Sequence, residues 1–218
     1  MNRRPDALLL DAMGTLIGLR QSVGSRYAAL ANDFGLAVDA SAIDRVFPRV
    51  YQQAPPLAFQ GLEGDALRHA EIRWWGARVE EALQAALPDP ETQLADGLPE
   101  GLAQALFEHF ADPGLWRAYP EVPDCLRRWR GRGLRLAVVS NFDSRLPALL
   151  DGLGVAEHFQ TVVVSSAAGA AKPDPAPYQL ALEALGLPAE AVWHVGDSPE
   201  DEAGARAAGI RCLLVERA

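Results

Sequence analysis

The chain has 218 residues, of which 49% are hydrophobic and 22% charged, and its formal net charge is −9. This size suits one globular core with an insertion, and the acidic balance argues against nucleic acid, which needs a basic stripe, and against an anionic membrane surface. Two cysteines, Cys125 and Cys212, form neither a metal-ligand spacing nor a disulfide framework. They read as reduced core residues, and the absence of a leader-like or membrane-length apolar run gives a cytoplasmic expectation.

In chain order, the first apolar run, Ala7 to Leu10, is short and bounded by polar residues, as a buried parallel strand would be. From Gly18 to Asp112 no convincing strand follows. Tyr27, Leu30, Ala31 and Phe34 fall at helical spacing and stop at Gly35. Ile43, Val46, Phe47, Val50 and Tyr51 make a second stripe, with Ser41 as its expected N-cap and Pro48 as an expected kink or stop. Leu67, Ala70, Trp74, Ala77 and Leu83 predict a long third helix, and Leu102, Leu106 and Phe110 a fourth.

Beyond the insertion, strands and helices alternate. Leu134 to Val139, Thr161 to Val164, Val192 to Val195 and Arg211 to Val215 read as strands. Helical stripes lie between them at Val122, Leu126 and Trp129, at Leu146 to Leu153, at Tyr178 to Leu185, and at Glu200 to Ala208. Trp74, Trp116 and Trp129 are expected in cores. The alternation predicts an α/β fold, a doubly wound and mostly parallel sheet. Residues 1–17 and 113–218 would form this Rossmann-like core, and 18–112 a helical cap inserted after the first strand.

In such sheets ligands sit at the carboxyl ends of the strands. Four polar groups fall there: Asp11 after Leu10, Ser140-Asn141 after Val139, Lys172 in Ala171-Lys172-Pro173-Asp174-Pro175, and Gly196-Asp197-Ser198-Pro199-Glu200-Asp201 after Val195. Lys172 is the chain's single lysine among 20 basic residues. Kept where every other cation is arginine, it suits a compact point charge in a tight site. Each group alone could cap a turn or a helix. Together they offer a carboxylate nucleophile, hydroxyl and amide donors, one cation and an acidic pair. Asp197 and Asp201 are four apart at a helix start and can share a face. An oxygen-rich set of this kind suits magnesium.

This set, in this order, resembles the haloacid dehalogenase-like hydrolase superfamily over nearly the whole chain. Val139-Ser140-Asn141-Phe142-Asp143, Ala171-Lys172-Pro173-Asp174-Pro175 and His194-Val195-Gly196-Asp197 are similar to its "domain-containing 3" branch. The resemblance implies that Asp11 attacks phosphorus on a small phosphorylated substrate and forms an aspartyl phosphate. It implies Mg²⁺ held by Asp11, the Met13 carbonyl and Asp197, with Asp201 as a further ligand or as a support behind the ligands. Ser140 and the Asn141 backbone would bind the phosphoryl group, and Lys172 would pair with Asp11. The cap would close over the site and exclude water.

One position departs from the phosphatase pattern. The family's acid/base aspartate, two residues after the nucleophile, is here Met13. A thioether neither gives nor takes a proton, and losing that group costs about 10²–10⁴ in rate. Asp143, Glu200, His69 and His109 are candidate replacements. Three readings stay open: a phosphatase with weakened acid/base chemistry, a catalytically silent protein that keeps the pocket for ligand or partner binding, and, less favoured, a 2-haloacid dehalogenase. Dehalogenases of the superfamily have tyrosine at the Met13 position and lack the Asp197 carboxylate. A phosphonatase is excluded by the absence of a cap lysine.

Overall fold

The computed structural model describes residues 4–217; positions 1–3 and 218 of the expected core lie outside them. β1 (Ala7–Leu10), β4 (Arg135–Ser140), β5 (Thr161–Val164), β6 (Val192–Gly196) and β7 (Arg211–Leu214) form one sheet in the order β5-β4-β1-β6-β7. All its pairings are parallel. β1 lies at the centre, with Leu10 level with Val138 on one side and Val195 on the other. All four of its residues are buried apolar ones, because neighbouring strands flank it and both faces are covered. The five predicted strands thus appear, each within a residue of its expected bounds.

Helices α6 (Val122–Gly131), α7 (Leu146–Gly152), α8 (Ser165–Ala168), α9 (Ala176–Leu185) and α10 (Pro199–Ala207) accompany these strands. One core cluster joins Leu9, Ala137, Val139 and Val192 of the sheet to Tyr178, Ala181 and Leu185 of α9 and Ala205 of α10. Trp116 is buried as expected, whereas Trp129 is only half-buried, near the end of α6. Both cysteines are free and half-buried. No described helix is long and apolar enough to cross a membrane.

By its internal contacts the chain divides into two compact units. One comprises the chain up to Gly18, Pro56–Leu67 and everything from Trp116 onward; the other comprises Leu19–Pro55 and Arg68–Leu115. A two-stranded ribbon, β2 (Ile17–Leu19) with β3 (Trp116–Ala118), lies where the chain leaves the first unit and returns to it. Pro56–Leu67, expected inside the insertion, clusters with the sheet unit. The reason is specific: the buried Ser165 hydroxyl donates to the Leu57 carbonyl at 2.7 Å, and the Phe59 N–H to the Ser166 carbonyl at 3.0 Å.

The second unit is helical, with α1 (Val23–Asp33), α2 (Ala40–Gln52), most of α3 (Gly64–Ala86), the short α4 (Pro90–Gln93) and α5 (Leu102–His109). Its interior is aromatic. Tyr27 meets Phe47 and Phe110 edge-on, with ring centroids 5.5 and 5.6 Å away. The Trp74 indole donates to the Pro55 carbonyl at 3.1 Å. Two local expectations are corrected. Asp39, not Ser41, caps α2, accepting from the Ala42 N–H. Pro48 does not end the helix, which runs on to Gln52; it is exposed, and water can take the carbonyl that its missing N–H leaves unpaired.

Candidate active site

Asp11 follows directly on β1, and its backbone N–H still donates to the Val195 carbonyl at 2.9 Å. That bond extends the sheet by one residue and places the carboxylate at the strand end, where it is buried. The chain then turns sharply: the Leu16 and Ile17 N–H groups both donate to the Ala12 carbonyl. Gly14 has φ +84, and a Cβ there would stand 2.1 Å from an Asp197 oxygen. Only glycine allows both the left-handed backbone and this approach. Met13 stands in the same turn and is 43% exposed, unusual for a large apolar residue.

Lys172 sits at the centre of the charge pattern, with its side chain almost wholly buried. Its ammonium donates to Asp11 Oδ1 and Asp201 Oδ1, both at 2.6 Å, and to the Val139 carbonyl at 3.3 Å. An ammonium has three N–H donors, and all three are used. Burial acts to lower the Lys172 pKa, but Asp11 and then Asp201 outweigh it, and the net direction is upward. The lysine therefore stays charged. Asn141 locks the loop that carries it: the amide oxygen accepts from the Lys172 N–H at 2.8 Å, and the amide nitrogen donates to the Lys172 carbonyl at 3.0 Å. The sequence reading gave Asn141 only a phosphate-binding role and missed this one. Ser140, which ends β4, is buried beside it.

Asp201 closes the other side. Ser198 and Asp201 form a reciprocal capping box at the start of α10. Asp201 Oδ2 accepts from the Asp197 and Ser198 N–H groups, each at 3.2 Å, and from the Ser198 hydroxyl at 2.7 Å. Its Oδ1 accepts from Lys172 and lies 2.8 Å from His194 Nε2. Burial pushes the Asp201 pKa up, but the His194 hydrogen bond and the Lys172 charge pull it well below the usual carboxylate range. A Cβ at Gly196 would collide with this carboxylate at 2.3 Å, so the glycine before Asp197 is also a fit to Asp201.

Asp197 differs from both. It is exposed, and its one side-chain partner given by the structure is the Thr15 hydroxyl, which donates to Oδ1 at 3.2 Å. Partial burial and then the Asp11 charge raise its pKa. Lys172 offsets the charge of Asp11 but not that of Asp197, so a carboxylate beside Asp11 is left that could help hold a cation. Ligand oxygens of Asp11, Asp197 and Asp201 lie within 4.8 Å of one another. Those of Asp11 and Asp197 fit an oxygen-coordinated divalent ion. Asp201 fits less well, because five donors already fill the roughly four lone-pair directions of a carboxylate.

Three supporting residues went unassigned in the sequence. His194 lies inside a quoted motif without a role and Thr15 four residues after Asp11, and only the fold shows what they touch. Arg217 lies some 200 positions from the turn it braces. Its guanidinium donates to the Gly14 carbonyl at 3.2 Å and to the Thr15 carbonyl, pairs with Glu121, and stacks over Tyr119 with its carbon 3.9 Å from the ring centroid. Of the candidate replacement acids, Asp143 is wholly buried and gripped by Arg145, with Nε–Oδ1 at 2.8 Å and Nη2–Oδ2 at 2.5 Å. A carboxylate held in that fork is poorly placed to exchange protons with a substrate.

Comparison with known proteins accords with this geometry. Residues 5–209 match the haloacid dehalogenase-like hydrolase family. The chain is 37% identical to the bovine (Bos taurus) haloacid dehalogenase-like hydrolase domain-containing protein 3, over 95% of this chain and 80% of the relative. It is 32% identical to phosphoglycolate phosphatase of Rhodospirillum rubrum, over 97% of this chain and 79% of that one. Among solved structures, L-2-haloacid dehalogenase from Xanthobacter autotrophicus superposes with a TM-score of 0.67 at 22% identity, covering 97% of this chain and 77% of that one; this likeness concerns the fold alone. The chain belongs to the haloacid dehalogenase-like hydrolase family.

Proposed function

We propose that the protein is a Mg²⁺-dependent phosphatase of small phosphorylated metabolites that works with weakened acid/base chemistry. The observation that carries this reading is the buried bridge of Lys172 between Asp11 and Asp201, beside an Asp197 left facing Asp11. Phosphatase relatives such as the R. rubrum enzyme support the substrate class.

Asp11 is the nucleophile. Lys172 holds its Oδ1, which leaves Oδ2 as the oxygen to attack phosphorus. Attack forms the Oδ2–P bond as the P–O bond to the leaving group breaks, and the leaving oxygen takes the electron pair. The ammonium offsets the repulsion between a carboxylate and a phosphate dianion. Ser140 and the Asn141 backbone receive the phosphoryl oxygens. The residues that would hold Mg²⁺ are Asp11, Asp197 and the Met13 carbonyl, and the bound ion would neutralise phosphoryl charge. Asp201 acts behind them, as the anchor of Lys172 and of the Asp197 N–H.

Met13 sets the substrate preference. It supplies no proton to a departing alkoxide, so aryl and acyl phosphates, which leave as stable anions, react better than alkyl phosphates. The test is turnover of 4-nitrophenyl phosphate with and without Mg²⁺, beside an alkyl phosphate. Slow, Mg²⁺-dependent hydrolysis with a strong aryl preference is expected. Equal rates across leaving groups would reveal a replacement acid, and complete inactivity with metal bound would favour a silent binding protein.

A further inference from the structure

His194 occupies the middle of β6, on its buried face with Val192 and Gly196, and is 0% exposed. An imidazole in a strand otherwise packed into an apolar core needs a reason. Its Nδ1 has no hydrogen-bond partner among the described residues, an unfavourable state for a buried polar atom. What the ring supplies lies on the other side, where Nε2 is 2.8 Å from Asp201 Oδ1. An ionised carboxylate only accepts, so Nε2 carries the hydrogen and donates.

That donation falls on the same oxygen that takes the Lys172 ammonium. Oδ1 therefore has two donors in fixed directions, and it cannot turn wholly toward the lysine. The ring itself is held. Tyr178 stands edge-on to it, with centroids 5.0 Å apart and planes at 88°, and the Tyr178 hydroxyl donates to the Asp201 carbonyl at 3.1 Å. Val139 and Asp11 supply the remaining acceptors of the ammonium.

The geometry points to His194 as a positioning residue for the nucleophile: by donating to Asp201 Oδ1 it limits the hold of Asp201 on Lys172 and directs the ammonium onto Asp11. Without that donor, Oδ1 has a lone pair to spare, Lys172 is drawn toward Asp201, and Asp11 meets an incoming phosphate dianion less neutralised. The kinetic consequence rests on Asp11 acting as the nucleophile, as proposed above; the hydrogen-bond consequence does not.

The single lysine makes this testable. Protein labelled with ¹⁵N-lysine gives one side-chain ammonium signal, that of Lys172. The parent is expected to show it protected from exchange with water. In His194→Gln, whose amide nitrogen reaches the place of Nε2, the signal should persist close to its position. In His194→Leu and His194→Asn, which offer no donor at that distance, it should shift or vanish into exchange, and either variant suffices if the other does not fold. With 4-nitrophenyl phosphate and Mg²⁺, the donor-less variants should lose about 10- to 100-fold in kcat with KM little changed, and the glutamine variant should recover most of it. An unchanged ammonium signal in the folded leucine or asparagine variant overturns the proposal. So does equal loss of kcat in the glutamine and leucine variants, which would mean packing alone. An inactive parent sinks the phosphatase reading but leaves the ammonium measurement to decide the role of His194.

Discussion

The two sides of Asp11 are built differently. Toward Lys172, the site is buried and saturated: three acceptors around one ammonium, five donors around Asp201, and an amide clamp from Asn141. Toward Met13 and Asp197, it is open: a thioether faces solvent, and a carboxylate has a threonine hydroxyl as its side-chain partner. The first side handles charge and is over-determined. The second would handle metal, leaving group and proton, and there the chain supplies a carboxylate and a backbone turn but no acid at position 13. In the proposed phosphatase, static neutralisation of phosphate and proton traffic would thus be separable parts of one site.

The sharpest way to break this contrast is at its centre. Asp11→Asn should reduce turnover of an aryl phosphate by at least about 10⁴-fold, as loss of a nucleophile does, with the fold retained in circular dichroism. Next is Lys172→Ala. It leaves Asp11 and Asp201 as buried, uncompensated charges and should destabilise the protein by about 3–5 kcal/mol, read from denaturant melts. Removing both charges, in Lys172→Met with Asp201→Leu, should return part of that loss if the cost is electrostatic.

The two sides should also answer to pH with opposite sign. Asp201 titrates below the usual range when folded, so its stabilisation is complete above the unfolded aspartate value of about 3.9 and is lost as pH falls through the lower, folded value. Asp197 titrates above that range when folded, so ionising it costs stability as pH rises from about 3.9 through the folded value. A bound cation would remove that cost. The thermal upshift produced by Mg²⁺ should therefore be larger at neutral than at acid pH, and Asp197→Asn should abolish the difference. The smallest effect is expected at Arg217, whose replacement by alanine should loosen the Gly14–Thr15 turn and weaken Mg²⁺ affinity by about 1 kcal/mol or less. Titration calorimetry would measure it.

How far the sequence was legible follows the same division. The strands were readable because β1, and Leu136 to Val139 within β4, are unbroken apolar runs followed by polar residues. Asp11, Ser140 and Asp197 could be singled out because strand ends are where such sheets place ligands, and Lys172, which follows α8 rather than a strand, because it is the chain's single lysine. The support was not readable. Arg217 reaches Gly14 across almost the whole chain, and His194 looks like one polar interruption of a strand until Asp201 is seen beside it. Asp201 and Asp197 look alike in sequence, four residues apart at a helix start. Only the donor count separates an anchored carboxylate from an available one. Pro56–Leu67 was unreadable for a similar reason: the hydrogen bonds given above tie it to the sheet unit through its own backbone groups, the Leu57 carbonyl and the Phe59 N–H, which leave no mark on side-chain periodicity.

The most direct test of a charge-handling side that lacks only its proton carrier is Met13→Asp, assayed with Mg²⁺ beside the parent on an alkyl and an aryl phosphate. A gain of about 10²–10⁴ on the alkyl phosphate, and a much smaller one on the aryl phosphate, is the result predicted. No gain on either, from a folded variant that still binds Mg²⁺, would contradict it.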